Sequence, residues 1–208
     1  MTAALTVAGA YLAGSMPFGY WLVRLLHGED IRDHGSGNIG ATNVWRVYGW
    51  THGLPIVLLD VAKGFVPALL GAQLVSPLVG VLAGAAAMLG HWRPAFLGFA
   101  KGGKTVATGA GAFLAVAPLV ALAGLAVWAV AFLATRYVSV GSMTAAVAMP
   151  FLALLLDAPW PVVVFAAAAG VAVLLLHRPN LARLRAGTEN RASLRRRRRR
   201  RGAASSSG

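Results

Sequence analysis

The chain has 208 residues, of which 58% are hydrophobic and only 12% charged, and its formal net charge is +13. Soluble domains carry roughly a quarter charged residues, so a chain this apolar lacks the polar surface to coat a water-exposed globule, and its class is integral membrane protein. It has no cysteine, which excludes a disulfide framework and a thiolate site, and its charge is uneven: seven arginines form one run, Arg195 to Arg201, leaving +6 (13 less 7) for the rest.

The first segment, MTAALTVAGAYLAGSMPFGYWLV, lacks the basic leader of a cleaved signal peptide and reads as a retained first span. Apolar segments then fall at 3–26, 54–75, 77–90, 105–134, 139–156 and 160–176. A perpendicular helix needs about 20 residues to cross, and several segments are shorter. The fourth is too long for one crossing, since it would reach ~45 Å against a hydrocarbon core of ~30 Å. Ala117-Pro118 interrupts it, and proline removes a helix hydrogen bond.

Charge placement favours splitting that segment. With the N-terminus outside, the loops 27–53, 91–104 and 135–138 and the tail from His177 then share one face. Together with the adjoining Arg24 they hold every lysine and arginine except Lys63, and the opposite loops hold none. That is the positive-inside pattern. The expected fold is all-α integral membrane, with about seven transmembrane helices, the N-terminus outside, the C-terminus cytoplasmic and the active site at the cytoplasmic face. His27, His34, His52, His91 and His177 all fall in or beside cytoplasmic segments. Residues 1–190 are expected to form the membrane domain. The arginine-rich tail, 191–208, cannot bury a core and is expected to be disordered. Its charge suits anionic membrane lipid, at about 1 kcal/mol per basic residue near the surface. No basic domain or aromatic interleaving accompanies it, so nucleic acid is not an expected partner.

GFAKGGKT, Gly98 to Thr105, fits the phosphate loop G-x-x-x-x-G-K-[ST]. That motif needs a strand before it and a magnesium-holding aspartate after another strand. Here a membrane helix and the turn HWRPAF precede it, and none of the six acidic residues ends an apolar strand. Nucleotide hydrolysis is therefore not expected, and neither is ATP turnover with magnesium. Affinity for phosphate survives: Gly102 and Gly103 are expected to offer backbone N–H groups, Lys101 and Lys104 add charge, and the helix starting at Thr105 adds a positive dipole end.

A second glycine loop, HGSGNIGATNVWRVYG, lies on the same face. Gly35, Gly37 and Gly40 match a dinucleotide pattern, but without the strand–helix–strand unit that gives it meaning. Ser36, Asn38, Thr42 and Asn43 supply donors, and Arg46 can grip a phosphate with two parallel hydrogen bonds. A third cluster, HRPNLARLRAGTEN, follows the last span. His177 and Asn180 are three apart and face the same way on a helical turn. Arg183 and Arg185 read as a basic cap at the membrane edge. Asp60 and Lys63, within a span, read as a structural ion pair. No carboxylate dyad, zinc-ligand set or Ser-His-Asp order stands out. Three phosphate-friendly clusters on one face suit an interfacial site for phosphorylated substrates. A phosphate transporter would instead place polar groups near the bilayer midplane.

Taken together, AYLAGSMPFGY, DIRDHGSGNIGATNVWRVYG, LDVAKG, GHWRPAFLGFAKGGKTVATGAG, YVSVGSM and HRPNLARLRAGTEN resemble the bacterial membrane family of acyl-phosphate:glycerol-3-phosphate acyltransferases. The resemblance covers nearly the whole chain except the arginine tail. Family members typically carry glycine after KGGK, where this chain has Thr105, and that difference creates the apparent nucleotide motif. The resemblance implies transfer of an acyl group from acyl phosphate to the 1-hydroxyl of glycerol 3-phosphate, giving lysophosphatidic acid and phosphate in phospholipid synthesis. It implies no cofactor and no metal, a location in the bacterial cell membrane, and the enzyme that makes acyl phosphate as a candidate partner. Carried onto this chain, it makes Arg46, Lys104 and His177 the catalytic candidates, with the general-base role of His177 open. Ser36, Gly37, Asn38, Gly40, Thr42, Asn43, Gly102, Gly103, Ser142 and Asn180 are the substrate-binding candidates.

Overall fold

A computed structural model describes residues 1–192, and the expectation for the arginine run concerns residues outside these. The described residues form ten helices: α1 (Thr2–Gly14), α2 (Phe18–His27), α3 (Ala41–Tyr48), α4 (Trp50–Leu74), α5 (Pro77–Trp92), α6 (Val106–Val116), α7 (Pro118–Thr135), α8 (Val138–Leu155), α9 (Trp160–Leu176) and α10 (Arg178–Arg185). Two single 3-10 turns, Ile31–Asp33 and Ala95–Leu97, complete the order, and the described residues contain no strand.

The long fourth segment divides where its proline predicts. Ala117 breaks the ladder and Pro118 opens α7 at a first-turn position, where its missing N–H costs nothing. The first segment departs from expectation. It is two helices, not one, broken at Ser15–Pro17 because Pro17 cannot donate into a continuous ladder. The break leaves the Met16 carbonyl without a helical donor, and Lys63 Nζ supplies one at 2.9 Å. Lys63 is also ion-paired with Asp60 at 2.7 Å, both side chains being 3% exposed. The pair read from sequence as structural therefore ties α4 to the α1–α2 corner.

Three helices, α4, α7 and α8, are long and apolar enough to cross a bilayer singly. The pair α9 and α10, bent by 52°, makes a fourth if taken as one span. The others named as spans are shorter, at 13 residues for α1, 10 for α2, 16 for α5 and 11 for α6. Large apolar side chains face outward, among them Leu58, Leu122, Leu133 and Phe151. This suits a lipid solvent, in which helices associate through close packing rather than apolar burial. Glycines permit that packing: a Cβ on Gly64 would lie 2.0 Å from the Thr108 carbonyl oxygen, and one on Gly111 2.0 Å from that of Val61. α4 and α6 thus meet backbone to backbone. The interior of the bundle is filled by Phe113 and Phe165, stacked at 4.4 Å, with Ala112, Ala153, Val162 and Ala166 around them.

Candidate active site

The polar clusters converge at one end of the bundle. In the first loop, Gly35 and Gly37 take left-handed backbone angles of +61° and +68°, which a side chain would resist. Asn43 organises the loop from within α3. It is 2% exposed, its Oδ1 accepts from Ser36 N–H at 2.8 Å, and its Nδ2 donates to the His34 carbonyl at 2.9 Å. The amide expected to meet substrate is thus committed to shaping the loop. Gly19, at the start of α2, allows this loop to lie close, since a Cβ there would meet the Ile39 carbonyl oxygen at 2.0 Å. Asn38 accepts from Gly40 N–H at 2.8 Å and donates to the Gly102 carbonyl at 3.2 Å. That second bond joins the first glycine loop to the second.

The second loop corrects one expectation. Gly102 N–H donates to the Trp92 carbonyl at 2.8 Å and Gly103 N–H to the His91 carbonyl at 2.9 Å. Neither is free for an oxyanion. Their glycine character serves close approach instead: a Cβ on Gly102 would lie 2.2 Å from the His91 carbonyl oxygen, and one on Gly103 1.9 Å from the His91 ring. The segment before the loop is a 3-10 turn and a bend, not a strand, so the nucleotide motif lacks its context. Thr105 caps α6 in a left-handed conformation, φ +63°.

Lys104 projects from this loop and donates to Asn180 Oδ1 at 2.6 Å. Asn180, on α10, donates in turn to Glu189 Oε1 at 2.7 Å. Ser139 Oγ donates to the same oxygen at 2.8 Å, and Arg183 Nε donates to Glu189 Oε2 at 2.6 Å. Burial opposes the charge on Glu189, but the hydrogen bonds from Asn180, Ser139 and Arg183 together hold its carboxyl below the usual carboxylate range. Glu189, Ser139 and Arg183 were not among the candidates from sequence. The available signal was a lone acidic residue in a basic stretch, which a buried carboxylate network explains. Arg183, read as a membrane-edge cap, instead lines the cleft.

The cleft has Ser36, Gly37, Asn38, Gly103 and Lys104 on one wall and Pro179, Asn180 and Arg183 on the other, with Lys101 at its edge. Burial pushes the Lys104 ammonium down to about 8, and the neighbouring charges of Arg183, Arg46 and Lys101 add to that effect, while Glu189 opposes it. Several cations therefore share a space with one nearby carboxylate, which is the field a phosphate dianion would neutralise. Arg46 Nη1 sits 3.5 Å from Asn43 Oδ1, a distance that leaves its fork largely uncommitted.

His177 lies behind the cleft, 3% exposed, just past the end of α9. Burial lowers its imidazole to about 4. Nδ1 lies 2.8 Å from the Val173 carbonyl, and a carbonyl only accepts, so Nδ1 carries the proton and Nε2 the lone pair. Thr42 is exposed on the first turn of α3. Ser142 is 4% exposed, one turn further into α8 than Ser139, and its hydroxyl is engaged by the Val138 carbonyl at 2.9 Å and Trp128 Nε1 at 3.4 Å. The residue of that segment bonded to the network is Ser139. No group of three or more histidines and carboxylates among the described residues could hold a metal ion.

Fold and site define an all-helical integral membrane protein with a basic cleft at one end of its bundle. The family model for glycerol-3-phosphate acyltransferase matches residues 4–187. A glycerol-3-phosphate acyltransferase of Synechococcus sp. (strain JA-3-3Ab) is 48% identical over 191 residues, covering 92% of this chain and 94% of its own. The crystal structure of PlsY (YgiH), an integral membrane glycerol 3-phosphate acyltransferase, in its glycerol 3-phosphate form, superposes with a TM-score of 0.89 at 41% identity, covering 93% of this chain and 96% of its own. The lysophosphatidic acid form of PlsY gives a TM-score of 0.85 at 39% identity over the same shares. The chain belongs to the glycerol-3-phosphate acyltransferase family, and its place is in phospholipid synthesis at a membrane.

Proposed function

We propose that the chain transfers an acyl group from acyl phosphate to the 1-hydroxyl of glycerol 3-phosphate, releasing lysophosphatidic acid and inorganic phosphate. The observation that carries this reading is the crowding of Arg46, Lys101 and Arg183 around a partly desolvated Lys104. Such a field favours a substrate with two phosphate groups in play, the one that leaves and the one that stays. The related PlsY structures in glycerol 3-phosphate and lysophosphatidic acid forms support the acceptor and the product.

The first glycine loop, Ser36 to Asn43, would cradle the acyl-phosphate head, with Gly40 and Thr42 at the start of α3 presenting its N-terminal dipole. Arg46 and Lys104 would neutralise phosphate oxygens and the charge that develops as the carbonyl is attacked. Asn180, held by Glu189, would orient glycerol 3-phosphate, with Gly102 and Gly103 fixing the approach of the loop and Ser142 backing the Ser139 turn. The 1-hydroxyl oxygen bonds to the acyl carbon, the bond from that carbon to the phosphate oxygen breaks, and the electron pair leaves with phosphate. The hydroxyl proton goes to Nε2 of His177 or to the departing phosphate, whose second pKa lies near neutrality. The balance needs neither metal nor cofactor.

The asymmetry of lysine and arginine supports seven crossings, with the N-terminus outside and the site on the cytoplasmic side of a bacterial cell membrane. Residues 1–190 would be the catalytic domain, and the enzyme that makes acyl phosphate a partner.

The test uses purified protein in lipid cubic phase with palmitoyl phosphate and glycerol 3-phosphate, following phosphate and lysophosphatidic acid together, with palmitoyl-CoA in a parallel run. Equal yields of both products from acyl phosphate alone are expected. Phosphate without lysophosphatidic acid would refute the acceptor, and turnover of palmitoyl-CoA would refute the donor.

A further inference from the structure

We propose that His91 is a positioning residue for the transfer reaction: its buried ring is the seat on which Gly103 rests, and it thereby fixes where Lys104 stands. This rests on the reading of Lys104 as a phosphate-binding group.

His91 lies in the last turn of α5 and is 5% exposed. It meets the second glycine loop twice. Its carbonyl accepts from Gly103 N–H at 2.9 Å. Its ring fills the space beneath the same residue: a Cβ on Gly103 would lie 1.9 Å from Nε2, 2.5 Å from Cε1 and 2.7 Å from Cδ2. These three nearest atoms all belong to the imidazole, and none is backbone. Gly103 is also absent from the residues with left-handed backbone angles. The demand for glycine at this position is therefore steric, and it is imposed by one side chain.

The ring has little freedom to move aside. Its Nδ1 lies 3.8 Å from Asp60 Oδ1, in the buried Asp60–Lys63 pair. Nδ1 has no hydrogen-bond partner among the described residues, and that carboxylate oxygen is held by Lys63 Nζ at 2.7 Å. The backbone beside it is pinned as well, because a Cβ on Gly90 would lie 2.2 Å from the Tyr11 carbonyl oxygen of α1. His91 is thus wedged between α4, α1 and the loop. Lys104, the next residue after Gly103, reaches Asn180 Oδ1 at 2.6 Å, so a shift of the loop moves the ammonium out of register with α10.

The clash makes a suppressor test possible. Gly103→Ala should lower kcat/KM for glycerol 3-phosphate by about tenfold or more, since a displacement near 1 Å at a reacting centre can cost about a hundredfold. His91→Ala alone should lower it several-fold. The double variant should be more active than Gly103→Ala, because removing the ring makes room for the new methyl group. His91→Gln, which keeps bulk under Gly103, should stay closer to the native rate than His91→Asn, which does not. If His91→Ala fails to fold, as judged by thermal denaturation in detergent, His91→Asn combined with Gly103→Ala carries the same comparison. A double variant whose loss is the product of the single losses would overturn the proposal, as would native kcat/KM in Gly103→Ala. Lys104→Ala separates the two readings: native activity there would sink the phosphate-site assignment itself, whereas a dead Lys104→Ala beside multiplicative losses would sink only the role of His91.

Discussion

Lys104 Nζ and Asn180 Oδ1, 76 residues apart in sequence, are joined by a 2.6 Å hydrogen bond that closes the cleft between the second glycine loop and α10. Through Asn180 the bond continues to Glu189, so a cation that lines the cleft is linked to a carboxylate that does not.

The first consequence is a basic limb in the rate profile. In the proposed function Lys104 must be protonated to hold phosphate, and burial brings its ammonium down to about 8. We expect kcat/KM to fall as pH rises through about 8. The limb in kcat should lie higher, because bound phosphate favours the charged amine. Lys104→Arg, if active, should carry the kcat/KM limb out of range, since a guanidinium stays charged. An unchanged limb in that variant would assign it to another group.

His177 should stay neutral well below its usual range. We expect 15N spectra of labelled protein to show a neutral, Nδ1-protonated ring from pH 7.5 to about 5, given its value of about 4. The unfolded chain takes up this proton near 6.5 and the native state only near 4, so stability should decline as pH drops through that window. His177→Asn should flatten part of that decline. Protonation of His177 near pH 6.5 in the native protein would contradict both statements.

Glu189→Gln should weaken the site without emptying it. The variant loses the charge that receives Ser139, Asn180 and Arg183. Hydrogen bonds to charged groups contribute about 1.5–3 kcal/mol, so a loss of ten- to a hundredfold in kcat/KM is expected. The native carboxyl is held below its ordinary 4.5, so the stability it contributes is present above that value and lost as pH falls through the folded one. The glutamine variant should lack that acid sensitivity in its thermal midpoint. Native kinetics in Glu189→Gln would show that Asn180 needs no such support.

Thr105→Gly should stabilise the protein. Thr105 is β-branched, holds φ +63°, and leaves its Oγ1 buried without a partner. Left-handed backbone costs a non-glycine residue about 1–2 kcal/mol, offset partly by the entropy glycine loses on folding. A net gain of about 1 kcal/mol would raise Tm by roughly 2–4 °C in a chain of this size. The family resemblance has glycine at this position, and the backbone angle gives the physical reason. A lower Tm in the variant would mean that the hydroxyl or methyl group is held by something stronger than the strain.

Much of this protein was legible in its sequence because membrane solvent imposes a coarse rule: apolar runs become helices, and charge gathers at one end. That rule, with Pro118, located the break between α6 and α7. It also put the three phosphate-friendly clusters on one face and identified Asp60 and Lys63 as partners, because i and i+3 positions meet on any helix. Tertiary structure decided what those polar groups do. Asn43 and the N–H groups of Gly102 and Gly103 have donors and acceptors suited to substrate, but the fold uses them to shape the loops. The place of Ser139 beside Glu189 and Arg183 was invisible, since Ser139 comes from a separate segment and only the approach of α8 to the stretch after α10 unites them. The break at Pro17 was missed because hydropathy continues through it. The physical reason is the same throughout: composition and periodicity fix where a group lies relative to the bilayer, whereas a hydrogen-bond partner across tens of residues is fixed only by how the helices pack.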